Sequence, residues 1–76
     1  METSLRQEVK SEIAGRIWKV VASVGQPVAA DDSLLIIESM KMEIPVVAPR
    51  NGVIREIRVA EGDEVTEGQL LVVIAD

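Results

Sequence analysis

The sequence contains no cysteine, histidine, tyrosine or phenylalanine. Without cysteine there is no disulfide, no thiolate nucleophile and no thiolate metal ligand. Without histidine the commonest general base and the commonest metal ligand are missing too. Catalysis by the chain itself would fall to carboxylates, hydroxyls and lysine, so an enzyme is the least favoured class and no metal site is expected. Trp18 is the only aromatic, which leaves no platform for stacking single-stranded bases, and a net charge of −5 repels a phosphate backbone. No apolar run approaches the ~20 residues that span a membrane. The opening METSLRQEVK lacks the apolar stretch of a secretory signal. A soluble, cytoplasmic protein that engages neither nucleic acid nor membrane is expected.

What is present is aliphatic. Of the 76 residues, 47% are apolar, nearly all of them Val, Ile, Leu or Ala, which is the composition of a β-rich core. The length suits one small domain with a thin core. Sliding the chain by 37 positions brings residues 15–38, GRIWKVVASVGQPVAADDSLLIIE, into gapless register with residues 52–75, GVIREIRVAEGDEVTEGQLLVVIA. Gly15 meets Gly52, Ile17 meets Ile54, Val20 meets Ile57, Gly25 meets Gly62, Val28 meets Val65, and Leu34 meets Leu71. Turn glycines and core aliphatics coincide together, which marks an internal repeat.

Short aliphatic runs broken by Gly, Pro, Asn and Asp clusters read as strands throughout, with no helical stripe of useful length. Pro27, Pro45 and Pro49 fit at turns or strand edges, where a ladder donor can be spared. Neither half can bury its apolar face alone. The expected product is a β-sandwich or flattened barrel with approximate two-fold symmetry. Residues 1–8 are polar and lack alternation, so a frayed leader is expected ahead of a domain at 9–76. The carboxylate-rich EGDEVTEG reads as a solvated turn, because its repeat partner VGQPVAAD lacks those charges. The leading methionine favours a free-standing chain, expected to be monomeric by itself.

Val9 and Lys10 align with Val46 and Val47, so the joint between the halves falls at residues 40–45 and begins Met40-Lys41. Two strands joined this tightly make a hairpin. Its tip places the Lys41 amine on a flexible four-carbon stem within reach of another protein, the geometry of a modification site. Lys10 and Lys19 have no such setting. Met40 and Met42 cannot both be core at a tip, and they form a soft apolar patch suited to recognition. Paired thioethers also suit Cu(I), but the only further methionine is Met1.

The string ESMKM, with the halves on either side, resembles the biotinyl domain of biotin-dependent carboxylases. Relatives carry Met-Lys-Met at a hairpin tip about 35 residues from the domain's end, and here 35 residues follow Lys41. The downstream NGVIREIRVAEGDEVTEGQLLVVI fits the same family. The resemblance implies an all-β flattened barrel of two four-stranded antiparallel sheets and a carrier without catalysis of its own. It implies that Lys41 is joined to biotin by an amide, made by a biotin protein ligase. It implies that Glu38, Ser39, Met40, Met42 and Glu43 serve ligase recognition and presentation, and that the carrier shuttles carboxybiotin between a biotin carboxylase and a carboxyltransferase. Ser39 stands where relatives usually have Ala, and SEIAG stands where many have an Ala-Pro-Met-Pro-Gly string. The gapless repeat leaves no room for the inserted thumb loop of some bacterial carriers. Two alternatives stay open: a lipoyl carrier on the same fold, whose relatives usually show Asp-Lys-Ala at the tip, and an unmodified interaction domain.

Overall fold

Alternating aliphatic and polar residues fold into eight strands in the computed structural model, which describes residues 6–75. They are β1 (Arg6–Lys10), β2 (Gly15–Val20), β3 (Pro27–Val28), β4 (Ser33–Ser39), β5 (Met42–Val47), β6 (Gly52–Ile57), β7 (Glu64–Val65) and β8 (Leu70–Ala75). They form two four-stranded antiparallel sheets, ordered β1-β8-β6-β3 and β5-β4-β2-β7. The 37-residue repeat carries β1 to β5, β8 to β4, β6 to β2 and β3 to β7, so each sheet maps onto the other. Each sheet takes two strands from each half of the chain, and the halves interlock. The expected all-β sandwich with two-fold symmetry is what the chain forms.

The core repeats the same symmetry. The eight largest fully buried side chains are four pairs at the repeat spacing: Ile17 and Ile54, Leu34 and Leu71, Leu35 and Val72, Ile37 and Ile74. Register skips at Trp18 in β2 and at Arg55 in β6, and both bulges turn their extra residue away from the core.

Four turns use one device. In each, a side-chain oxygen accepts the backbone N–H three residues back: Gln26 from Ser23, Asp32 from Ala29, Asp63 from Ala60 and Gln69 from Thr66, all at 2.9–3.0 Å. A reciprocal backbone bond closes each turn from the other side. Asp63 is therefore a structural acceptor, not merely a solvated charge. Gly68, at φ 87°, has as its repeat partner Asp31, at φ 74°. Aspartate is among the few residues that tolerate this region, so the first half keeps the turn without glycine.

The boundary drawn at Val9 falls inside β1. Arg6, Gln7 and Glu8 pair with Ala75, Ile74 and Val73 of β8, and Arg6 Nη2 meets Glu56 Oε2 at 2.9 Å. This strand lies at a sheet edge, and backbone pairing with β8 holds it without an apolar pattern of its own. Residues 1–5 of the expected leader lie outside the described residues. Among the described residues no helix is long and apolar enough to cross a membrane.

Gly15 and Gly52 mark where backbone meets backbone. A Cβ on Gly15 would sit 2.6 Å from the Glu38 carbonyl oxygen, and one on Gly52 would sit 2.7 Å from that of Ala75. Gly15→Ala should destabilise the protein by about 1–3 kcal/mol, as overpacking does, and Gly52→Ala by a similar amount. Urea denaturation of both variants checks this.

Glu56 provides a pH-dependent contribution. Hydrogen bonds from Arg58 and Arg6 hold its carboxyl below the ordinary value. A depressed folded-state value adds stability above the unfolded carboxylate range, and that stability is lost as pH falls through the folded value. Glu56→Gln should therefore lower the melting temperature slightly at neutral pH, with the gap closing in acid and in high salt. Thermal melts across pH measure it.

Candidate functional site

Between β4 and β5 the ladder runs from Ser33 paired with Val47 to Ser39 paired with Met42, leaving only Met40 and Lys41 to make the turn. Both adopt positive φ, 53° and 67°. That is the two-residue type I′ geometry, whose twist matches the flanking strands and which normally takes Asn-Gly. Two side chains with full Cβ substitution here cost roughly 1–2 kcal/mol each. The ladder and a clamp hold the strained turn. The Ser39 hydroxyl donates to the Ala14 carbonyl at 2.9 Å, tying the tip to the loop between β1 and β2. An alanine at this position could not make that bond.

The turn projects its side chains outward. Met40 is 91% exposed and Met42 63%. Lys41 is exposed and makes no hydrogen bond or ion pair among the described residues. Its amine is therefore accessible and uncommitted. Met1, the third thioether, lies outside the described residues, among which no cluster of three or more His, Cys, Asp or Glu could hold a metal.

Behind the tip, one lateral row crosses the second sheet. Glu43 faces Glu38, Glu38 faces Arg16, and Arg16 faces Glu64. Arg16 Nη2 lies 3.9 Å from Glu64 Oε2, a loose and exposed pair. Two carboxylates directly opposed across β4 and β5 repel each other, so this end of the molecule keeps local negative charge beside its amine. The repeat partners of this row are Arg6, Ala75, Val53 and Pro27. The acidic row therefore belongs to the Lys41 end alone. A shallow hollow beside Lys41 is lined by Ala14, Arg16, Glu64 and Thr66 together with the tip.

The structure brings Glu38, Ser39, Met40, Lys41, Met42 and Glu43 to one end of the sandwich. Sequence reasoning missed Ala14, Arg16 and Glu64 as neighbours of the lysine. Their signal was the repeat register, which places the start of β2 beside the end of β4.

Fold and tip together define an all-β domain that exposes the Lys41 amine on a two-residue turn. The chain belongs to the family described as biotin-requiring enzyme, whose model matches residues 7–74. It is 41% identical over 68 residues to the biotin/lipoyl attachment protein of Bacillus subtilis, covering 90% of this chain and 93% of that protein. It is 47% identical over 66 residues to the urea amidolyase of Saccharomyces cerevisiae, covering 87% of this chain but 4% of that one. Among solved structures, the urea carboxylase of Kluyveromyces lactis matches with a TM-score of 0.89 and 40% identity, over 97% of this chain and 6% of that one. The same unit thus occurs as nearly all of one relative and as a small part of others.

Met40→Gly should raise stability by about 1 kcal/mol, because glycine adopts positive φ without the Cβ penalty. Urea denaturation of the variant beside the parent protein gives the difference.

Proposed function

We propose that the chain is a biotin carboxyl carrier domain and that Lys41 is the residue that takes biotin. The observation that carries this reading is the uncommitted Lys41 side chain on a two-residue turn, in a chain of the biotin-requiring family. A primary amine free of internal partners fits amide attachment to a carboxylate. Lysine amines are protonated at neutral pH, so the attaching ligase must draw off a proton before attack. The rigid turn lowers the ordering cost of docking into that ligase. Glu38, Ser39, Met40, Met42 and Glu43 form the surface around the attachment point. Ser39 fixes the tip, Met40 and Met42 offer adaptable apolar contact, and the two glutamates supply charge. Biotin, once attached, supplies a ureido nitrogen able to carry CO₂, chemistry the protein's own residues lack. The chain's part is attachment, presentation and delivery to a biotin carboxylase and a carboxyltransferase. A cytoplasmic location suits those partners.

Lipoate at the same lysine is the second reading, favoured by the likeness to an attachment protein whose name includes both groups. Incubation with purified biotin protein ligase, ATP and biotin, and in parallel with a lipoyl ligase and lipoate, separates the two. Mass spectrometry should find a biotinyl amide on the Lys41 peptide and none on Lys10 or Lys19. Lys41→Arg should abolish incorporation. Lipoate alone on Lys41 would replace the biotin reading, and no adduct from either ligase would leave an unmodified interaction domain.

A further inference from the structure

The two-fold symmetry of the backbone does not extend to the outer faces of the two sheets, and the difference supplies an internal control. On the first sheet Arg6, Glu8, Lys10, Glu56 and Arg58 form a charged outer surface. Arg6 and Arg58 both reach Glu56, at 2.9 and 3.0 Å, and Lys10 lies 3.6 Å from Glu8. These long side chains cover the outward Val73, which is only 4% exposed. The equivalent positions on the second sheet carry different chemistry. Pro45 stands where the first sheet has Glu8, Val47 where it has Lys10, Trp18 where it has Arg55, and Val21 where it has Arg58.

Ile36 is the repeat partner of Val73. It does not pack against the core, and its lateral neighbours are Pro45 on β5 and Lys19 on β2. Trp18 is 48% exposed, Val21 47% and Val47 39%. The only aromatic in the chain is thus spent on a surface. At the positions of Trp18, Val21 and Val47 the first sheet carries Arg55, Arg58 and Lys10, so the fold needs no apolar residue there. Contiguous exposed apolar side chains of this kind mark an interaction site.

We propose that the outer face of the second sheet docks a protein that acts on the group carried by Lys41, through an apolar patch rimmed by lysine and arginine. The charge of the partner follows from the acidic row of Glu43, Glu38 and Glu64 that borders the patch on the tip side, whose three carboxylates outnumber the cations Arg16 and Lys19 on the same face. The kind of partner follows from distance. Ile36 lies four residues before the turn, about 13 Å along β4. An attaching ligase must close around the tip itself. A component that receives a group on a long tether can hold the body of the carrier instead, and this face is where it would do so. The inference rests on the carrier reading of Lys41.

The test uses the full chain, biotinylated on Lys41, with the biotin carboxylase purified from the same host as the probe. Ile36→Lys and Val47→Glu should each lower kcat/KM for carboxylation of the carrier at least tenfold, with ligase-catalysed labelling of Lys41 unchanged. Glu8→Gln on the opposite sheet should leave kcat/KM as it was. Fluorotryptophan at Trp18 should show a fluorine resonance shift on adding unlabelled carboxylase, reversed by high salt. Melting curves establish that each variant folds, and Val47, already exposed, carries the test if Ile36→Lys does not. Unchanged kcat/KM in folded variants, a parallel fall in ligase labelling, or dimers of the parent chain that Val47→Glu dissociates would each overturn the proposal. Absence of biotin on Lys41 would overturn the carrier reading and this inference with it. Biotin present with unchanged kcat/KM overturns this inference alone.

Discussion

The structure depends on strand exchange between two halves that cannot stand alone. β4 lies between β5 and β2, and β8 lies between β1 and β6, so each half's most apolar strand is central in a sheet that borrows strands from the other half. Burial of Leu34, Leu35 and Ile37 is therefore inseparable from burial of Leu71, Val72 and Ile74. For a chain this short, with no disulfide, such interlocking concentrates the apolar area into one continuous core. It also requires close backbone approach, which explains glycine at both Gly15 and Gly52.

That rigidity lets the tip hold a conformation its residues disfavour. A hairpin free in solution would not keep Met40 and Lys41 at positive φ when Asn-Gly does so without penalty. Here six paired positions of β4 and β5, with the Ser39 hydroxyl on Ala14, over-determine the turn. Strain at a functional turn, sustained by the surrounding fold, is a recognised pattern. Backbone preference does not account for the side chains at the tip; the proposed display of Lys41 to a ligase does.

Much of this was legible because the core obeys the repeat. Ile17 with Ile54 and Leu34 with Leu71 aligned in the sequence, and they are buried as pairs. The hairpin was legible for the same reason, although no turn residue announced it. Other features were not. The strand at Arg6–Lys10 has polar residues on its outward side, so alternation with Val9 was too short to read; its order comes from pairing with β8. The Ser39–Ala14 bond joins residues 25 apart and has no local signature. Asp63 read as a surface charge because its turn function is shared by Gln26, Asp32 and Gln69, residue types that differ in charge but offer the same oxygen. Physical roles conserved across chemically different side chains are hard to see in letters.

The repeat also decides what the two ends of the sandwich can do. Among the described residues the turn at Met40 and Lys41 has no counterpart at the repeat spacing. Ser39 holds the tip against the loop that follows β1, and β1 runs toward that loop from Arg6, which pairs with Ala75. The first and last described residues therefore share the end remote from Lys41. One end of the fold is a closed turn carrying an amine, and the other holds the paired Arg6 and Ala75. This geometry suits a unit found both as nearly a whole protein and as a small part of much longer relatives. On the proposed reading, a group attached to Lys41 would sit at the end of the sandwich opposite Arg6 and Ala75. Two-fold symmetry builds the body; among the breaks in it, the turn at one end and the pairing of Arg6 with Ala75 at the other make the body directional.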